Sequence, residues 1–267
     1  MTDVLIVPHQ ERAEAVGLAL EAAEWLVSHG HRAFLVPADA ESLDLRQLAD
    51  TRPASSAGLV LSLGGDGSVL RAVELLDGAQ VPVIAVNVGT LGYLTEVEPA
   101  SLTSALERFF AGDCTVEHRM LLNVEVVRQR DGAVEGSWRA LNEAVLEREE
   151  AGHTIRLLAR IDGAPFMSYA ADGMIIATPT GSTAYSLSAR GPVISPTHRA
   201  LLLTPVSPHQ LFDRSLVLSP DEPVEIEAMG HRRIALTVDG RRLATLEAGD
   251  VVRCRPSADD ACFVRFG

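Results

Sequence analysis

The sequence contains no lysine. All 23 basic residues are arginine, set against 36 acidic ones, for a formal net charge of −13. A Walker A loop places a lysine on the β- and γ-phosphates of its nucleotide, so that loop is excluded. A Schiff-base or pyridoxal enzyme needs a lysine amine, and a protein kinase of the usual type needs its strand lysine. Alanine, arginine and valine are abundant, so coding bias accounts for the missing lysine, but the chemical exclusions hold whatever its origin. The acidic balance argues against nucleic acid as a main partner, because neutralising phosphates requires excess basic charge. Cysteine is scarce as well: Cys114, Cys254 and Cys262 form no C-x-x-C pair and read as packing residues of a reduced compartment. There is no apolar stretch of 18 residues or more to span a membrane. The opening Met-Thr-Asp has no basic segment leading into an apolar one, so no secretory leader is expected. The expected location is the cytoplasm.

What is present is an ordinary globular composition, with 47% apolar and 22% charged residues over 267 positions. That length suits one large domain or two modest ones. The first part alternates strand and helix. Val4–Pro8, Ala33–Val36, Leu59–Leu63 and Val81–Val88 read as buried strands. Glu11–His29, Ser68–Leu76 and Ser101–Phe110 carry apolar residues at helical spacing. Such alternation implies a parallel α/β sheet.

The pattern changes near residue 115. Leu122, Val124 and Val126 alternate with polar residues, and Asp131-Gly132, Asp162-Gly163 and Asp239-Gly240 are hairpin signals between alternating runs. Long helices are lacking there, apart from a short one after Thr183. The expected fold is therefore an α/β Rossmann-like domain over 1–115, followed by a β-rich, sandwich-like domain over 116–267. The last apolar run, Cys262–Phe266, is a strand that either stays in the second domain or returns to the first.

The strongest local motif is Gly64-Gly65-Asp66-Gly67-Ser68, between a buried strand and a helix start. Ligands of open α/β sheets bind at the carboxyl ends of strands. Glycines let a backbone approach a ligand closely, and a helix N-terminus offers free N–H groups and partial positive charge to phosphate. Asp66 is then a carboxylate beside phosphates, which calls for a cation or a proton to accept. As an alternative, the motif is simply a tight turn. A second motif is Asp172–Ser188, in which six hydroxyl-bearing residues lie between Thr178 and Ser186. Hydroxyls and backbone there suit a polar ligand, with Tyr185 stacking on it; the plainer alternative is a capped helix start. The third is Asn142-Glu143 in an apolar stretch. Asparagine suits a base edge and an ionised glutamate a sugar hydroxyl, whereas an exposed strand edge is the structural alternative.

Together these residues make the chain resemble the NAD kinase family. Gly64–Ser68, Asn87-Val88-Gly89-Thr90-Leu91-Gly92-Tyr93-Leu94, Asn142-Glu143 and Asp172–Ser188 recur in that family in this order and at similar spacing, and Pro208-His209 follows an apolar strand as it does there. The glycine loop alone is shared with lipid kinases and phosphofructokinases; the run Thr178-Pro179-Thr180-Gly181-Ser182-Thr183-Ala184-Tyr185 discriminates better. The resemblance implies transfer of the γ-phosphoryl group of ATP, or a phosphoryl of polyphosphate, to the 2′-hydroxyl of the adenosine ribose of NAD. It implies that Asp66 is the catalytic group and that Gly64, Gly65, Gly67, Ser68 and Arg71 line the phosphate path. NAD would be met by Asp66, Gly67, Tyr93, Asn142, Glu143, His153, Asp172, Thr180, Thr183, Ala184, Tyr185 and Ser188. A divalent metal, Mg²⁺, would bridge the phosphates, with no ligand cluster identified in the sequence. A homo-oligomer, dimer or tetramer, is implied too.

Phosphoryl transfer has a loose transition state, so positioning and charge stabilisation dominate. An ionised carboxylate is a weak base, so Asp66 is read as aligning the hydroxyl and taking its proton late. Arg190 stands where relatives often carry glycine, Ser68 where many carry threonine, Ala170 where some carry a basic residue, and Arg214-Ser215 replaces a commoner Arg-Pro. These departures leave the choice between NAD and NADH, and the loop after His209, open. The competing readings are a lipid or sugar kinase sharing the glycine loop, and a nucleotide sensor without turnover.

Overall fold

The computed structural model describes residues 1–90, 92–150 and 152–267. Leu91, inside the Asn87–Leu94 motif, lies outside the described residues. The chain forms two compact units, one of residues 1–118 and 261–267, the other of residues 119–260.

The first unit opens with β1 (Asp3–Pro8), α1 (Ala13–Ser28), β2 (Arg32–Phe34) and α2 (Pro37–Ser42). It continues through β3 (Leu59–Gly64), α3 (Asp66–Leu76), β4 (Pro82–Asn87) and α4 (Leu102–Phe110). The strands are parallel in the order β2-β1-β3-β4. All six residues of β3 are buried, and β1 and β4 are nearly so. This is the near-continuous apolar character of strands covered on both faces. The core joins Val4, Ile6, Leu61 and Ile84 to Leu18 and Leu26 of α1 and to Leu102 and Leu106 of α4. Two readings shift here. Helix α3 begins at Asp66 rather than Ser68, because Gly65 serves as its N-cap and places a carboxylate in the first turn, where the helix dipole favours it. Helix α2 had no periodic signal, being a six-residue helix opened by Pro37.

The second unit is built from β5 (Thr115–Val127), β6 (Val134–Ala140), β7 (Glu143–Arg148), β8 (Ile155–Ile161), β9 (Ala164–Ala171) and β10 (Gly173–Ala177). After α5 (Tyr185–Ser188) come β11 (Leu201–Val206), β12 (Leu216–Leu218), β13 (Val224–Met229), β14 (Ile234–Val238), β15 (Arg241–Leu246) and β16 (Val251–Arg265). One antiparallel sheet runs β12-β11-β10-β7-β14-β15. In a second set, β13 pairs with β16 and β8, β8 with β9, and β5 with β6, all antiparallel. Both sets feed one core, including Leu146, Ile176, Leu203 and Leu236 from the first and Leu122, Leu157 and Ile226 from the second. That is sandwich packing. Strand β16 is long enough to serve both units: Val251–Cys254 pairs with β13, and Cys262 and Phe263 pair parallel to β4. Among the described residues, no helix is long and apolar enough to cross a membrane.

Candidate active site

In the first unit the glycine loop sits at the carboxyl end of β3, and Gly64 pairs with Asn87 at the end of β4. Gly64 must be glycine because a Cβ there would lie 2.8 Å from Ser68 Cβ and 3.2 Å from His9 Cβ. Ser68 is thereby buried against the loop, while Gly67 is exposed and Gly65 and Asp66 are half-buried. The backbone N–H groups of Tyr93 and Leu94 donate to Asp66 Oδ2 and Oδ1, each at 3.0 Å. Gly92 makes that possible, since a Cβ there would lie 2.6 Å from Asp66 Cγ. A carboxylate has about four acceptor positions, so two N–H donors leave room for a hydroxyl. Asn87 is buried, with Oδ1 lacking a partner. The ring of Tyr93 is 68% exposed.

Arg71, expected on the phosphate path, is committed elsewhere. Its guanidinium pairs with Asp39, which is fully buried on α2 and also accepts from Gln10 Nε2 at 3.0 Å. An unpaired aspartate at that depth would be costly, so the pair ties α3 to α2. A different arginine reaches the end of β4: Arg12 Nη1 donates to the carbonyl of Val88, close against Gly89. Arg12 was missed because nothing in its local sequence distinguishes it.

In the second unit, Glu143 opens β7 with Asn142 just before it, and the pair is not an exposed edge: β7 lies between β10 and β14, and Glu143 is 7% exposed. Glu143 Oε2 has no partner. Burial, reinforced by the nearby Asp239 carboxylate, pushes the Glu143 carboxyl up to about 8, against the weaker pull of the Tyr185 backbone N–H. At neutral pH it is therefore mainly protonated, a donor as well as an acceptor, whereas the sequence alone suggested an ionised, acceptor-only group.

The hydroxyls of the segment are largely engaged within the protein, by the segment itself and by neighbouring backbone and side chains. Thr178 Oγ1 donates to Leu141 O at 2.5 Å and accepts from Gly181 N at 3.1 Å. Ser182 Oγ exchanges hydrogen bonds with the backbone of Ile194, Thr183 Oγ1 donates to Thr180 O, and Ser186 Oγ meets Thr204 Oγ1. Only Thr180 Oγ1, among the buried hydroxyls of this run, lacks a partner. Density of hydroxyls therefore measured how firmly the loop is built more than how many groups it offers a ligand. Tyr185 is 40% exposed, and its phenol is pushed up by partial burial and by the charges of Glu147, Asp172 and Glu143. Thr183, Ala184 and Ser188 lie on the same short segment, and Asp172 is bridged to Arg148 at 2.6 Å.

His153 is exposed and lines a cavity of about 360 Å³ with Arg148, His231, Arg232 and Arg233. Arg190 adopts φ +66°. That left-handed backbone explains why glycine suits the position. Among the described residues, no group of three or more His, Cys, Asp or Glu side chains is placed to hold a metal.

The first unit thus carries a glycine loop of amides at a strand end with a carboxylate at the head of the next helix, and the second a half-buried Asn142 beside a buried Glu143, groups of the kind a nucleotide-directed phosphotransferase needs. Residues 4–114 match the ATP-NAD kinase N-terminal domain and residues 141–266 the ATP-NAD kinase C-terminal domain. The chain belongs to the NAD kinase family. It is 38% identical to an NAD kinase of Heliobacterium modesticaldum, over 100% of this chain and 94% of that one. It is also 38% identical to an NAD kinase of Nocardia farcinica, over 99% and 87%. Among solved structures, yeast NADH kinase complexed with NADH superposes with a TM-score of 0.90 at 26% identity, over 99% and 83% of the two chains. An Archaeoglobus fulgidus NAD kinase in complex with ATP shares the fold, with a TM-score of 0.76 at 22% identity over 98% and 93%.

Proposed function

We propose that the chain transfers the γ-phosphoryl group of ATP to the 2′-hydroxyl of the adenosine ribose of NAD, giving NADP and ADP. The observation that carries this reading is Asp66, fixed at the head of α3 by the N–H groups of Tyr93 and Leu94 with acceptor positions to spare. A carboxylate so held orients an incoming hydroxyl and receives its proton as the bond to phosphorus forms. The amides of Gly65, Asp66 and Gly67, at the N-terminus of α3, receive phosphate oxygens, so no lysine is required. Asn142 reads the adenine edge. Glu143, protonated and buried, exchanges hydrogen bonds with ribose hydroxyls through its free Oε2. Thr180, Thr183, Ala184, Tyr185 and Ser188 line the rest of the NAD site, with Asp172, Tyr93 and His153 contributing at its margins.

Asp66 offers hard oxygen, the donor type Mg²⁺ prefers, and Mg²⁺ needs only one or two carboxylates when nucleotide phosphates supply other ligands. When bound, the ion would neutralise charge developing on the phosphoryl oxygens. This reading includes a homo-oligomer working in the cytoplasm. The test is purified chain with ATP, Mg²⁺ and NAD, read as NADP through a coupled dehydrogenase, with polyphosphate and NADH as parallel arms. NADP formation supports it. Tight NAD binding without turnover supports a sensor, and turnover of a lipid or sugar instead supports the other kinases that share the glycine loop.

A further inference from the structure

We propose that Asp239 is a positioning residue that aims Asn142 and Glu143, and so sets affinity for the nucleoside part of NAD. This inference rests on the reading above that those two side chains hold adenosine. Asp239 lies in the turn between β14 and β15, nearly a hundred positions along the chain from the pair it serves. Its carboxylate accepts three successive backbone N–H groups: Leu141 on Oδ2 at 2.7 Å, and Asn142 and Glu143 on Oδ1 at 2.9 and 3.0 Å.

The backbone carbonyls of the same three residues are bonded as well. The carbonyl of Leu141 accepts from Thr178 Oγ1, that of Asn142 from Thr178 N at 2.9 Å, and that of Glu143 from Asp239 N at 3.0 Å. Gly181 presses on the same turn so closely that a Cβ there would lie 2.8 Å from Asn142 Cα. With every backbone donor and acceptor of the three residues engaged, the turn has one conformation available, and the free groups are on the side chains, Glu143 Oε2 among them. Only an acceptor-only group can take three converging N–H donors. A carboxylate does so through charge-assisted bonds. An amide presents one oxygen and turns its NH₂ group, donor against donor, on a backbone N–H. Placing an aspartate here rather than an asparagine serves the geometry of a binding turn more than the stability of a hairpin.

The experiment compares the full-length wild type with Asp239→Asn, measuring KM for NAD, KM for ATP, kcat, and NAD affinity by calorimetry. The expected result is a roughly tenfold loss of NAD affinity and a matching rise in KM for NAD, with KM for ATP within about twofold and kcat within about threefold, since one misdirected hydrogen bond is a tenfold effect. Asp239→Ala opens a hole and lowers Tm, so the isosteric variant carries the test. Thr178→Val, which loosens the same turn from its other side, is expected to reproduce the selective loss. Unchanged NAD affinity in Asp239→Asn, or equal losses for NAD and ATP with a fall in kcat, overturns the inference and leaves the proposed function standing. A wild type that neither binds nor phosphorylates NAD overturns both.

Discussion

Asp66 and Asp239 use the same device in two different surroundings. Each holds a distant loop by accepting backbone N–H groups, two for Asp66 and three for Asp239. Asp66 is half-buried at the head of a helix, beside exposed Gly67. Asp239 sits where burial pushes its carboxyl upward while the three N–H groups pull it back down. The difference teaches which carboxylate can do chemistry. The one with solvent access and unfilled acceptor positions can meet a substrate hydroxyl. The one buried and holding three backbone N–H groups shapes the residues around it. Arginines fall into the same contrast: Arg71 is spent on buried Asp39, whereas Arg12 lies against the Val88–Gly89 backbone at the end of β4.

The largest expected effect is at Asp66. Asp66→Asn should fold and bind NAD, and lose about two or more orders of magnitude in kcat, because the amide cannot take the proton. The coupled NADP assay with circular dichroism checks this, and near-normal turnover would remove the contrast between the two aspartates.

The next effect is one of pH. The Glu143 carboxyl is raised to about 8 in the folded chain, from an ordinary value of 4.5. Between those values the folded state keeps a proton that the unfolded state has released. Stability from this group therefore falls as pH rises from about 4.5 to 8 and then levels off. Glu143→Gln should flatten that fall by on the order of 2 kcal/mol, measured as urea midpoints at pH 5 and pH 8 without ligand. Parallel curves for variant and wild type would mean that Asp239 and burial do not control Glu143.

The smallest effect is at Arg190, whose side chain is exposed and whose backbone is left-handed. Arg190→Gly should raise stability by about 0.5–1 kcal/mol with activity unchanged, a rise of a few degrees or less in Tm. A loss of ATP affinity would instead make Arg190 a phosphate-binding cation.

The first unit was largely legible in sequence because its signals are local. Buried parallel strands are continuous apolar runs, and the Gly64–Ser68 motif carries its own geometry. Even there, what Arg71 binds was hidden, since Asp39 sits on a short helix with no periodic signal. The second unit was legible as alternation and hairpin turns, but its site was not. Asp239-Gly240 read as a turn and is one, with φ +46° and +79°. Nothing local marked the aspartate's side chain as the anchor of Leu141–Glu143. Likewise the hydroxyl-rich run Thr178–Ser186 read as suited to a polar ligand, whereas Thr178, Ser182 and Ser186 direct their hydroxyls to Leu141, Ile194 and Thr204.

The sequence by itself determined the alternation of the first part, the β-rich second part, the lysine-free phosphate loop and the family. Each of these is written in neighbouring residues, through side-chain period and backbone permissiveness. Only the tertiary structure decided which carboxylate is free, which arginine is spent and which glutamate holds a proton. Those outcomes depend on burial and on hydrogen bonds between residues far apart in the chain.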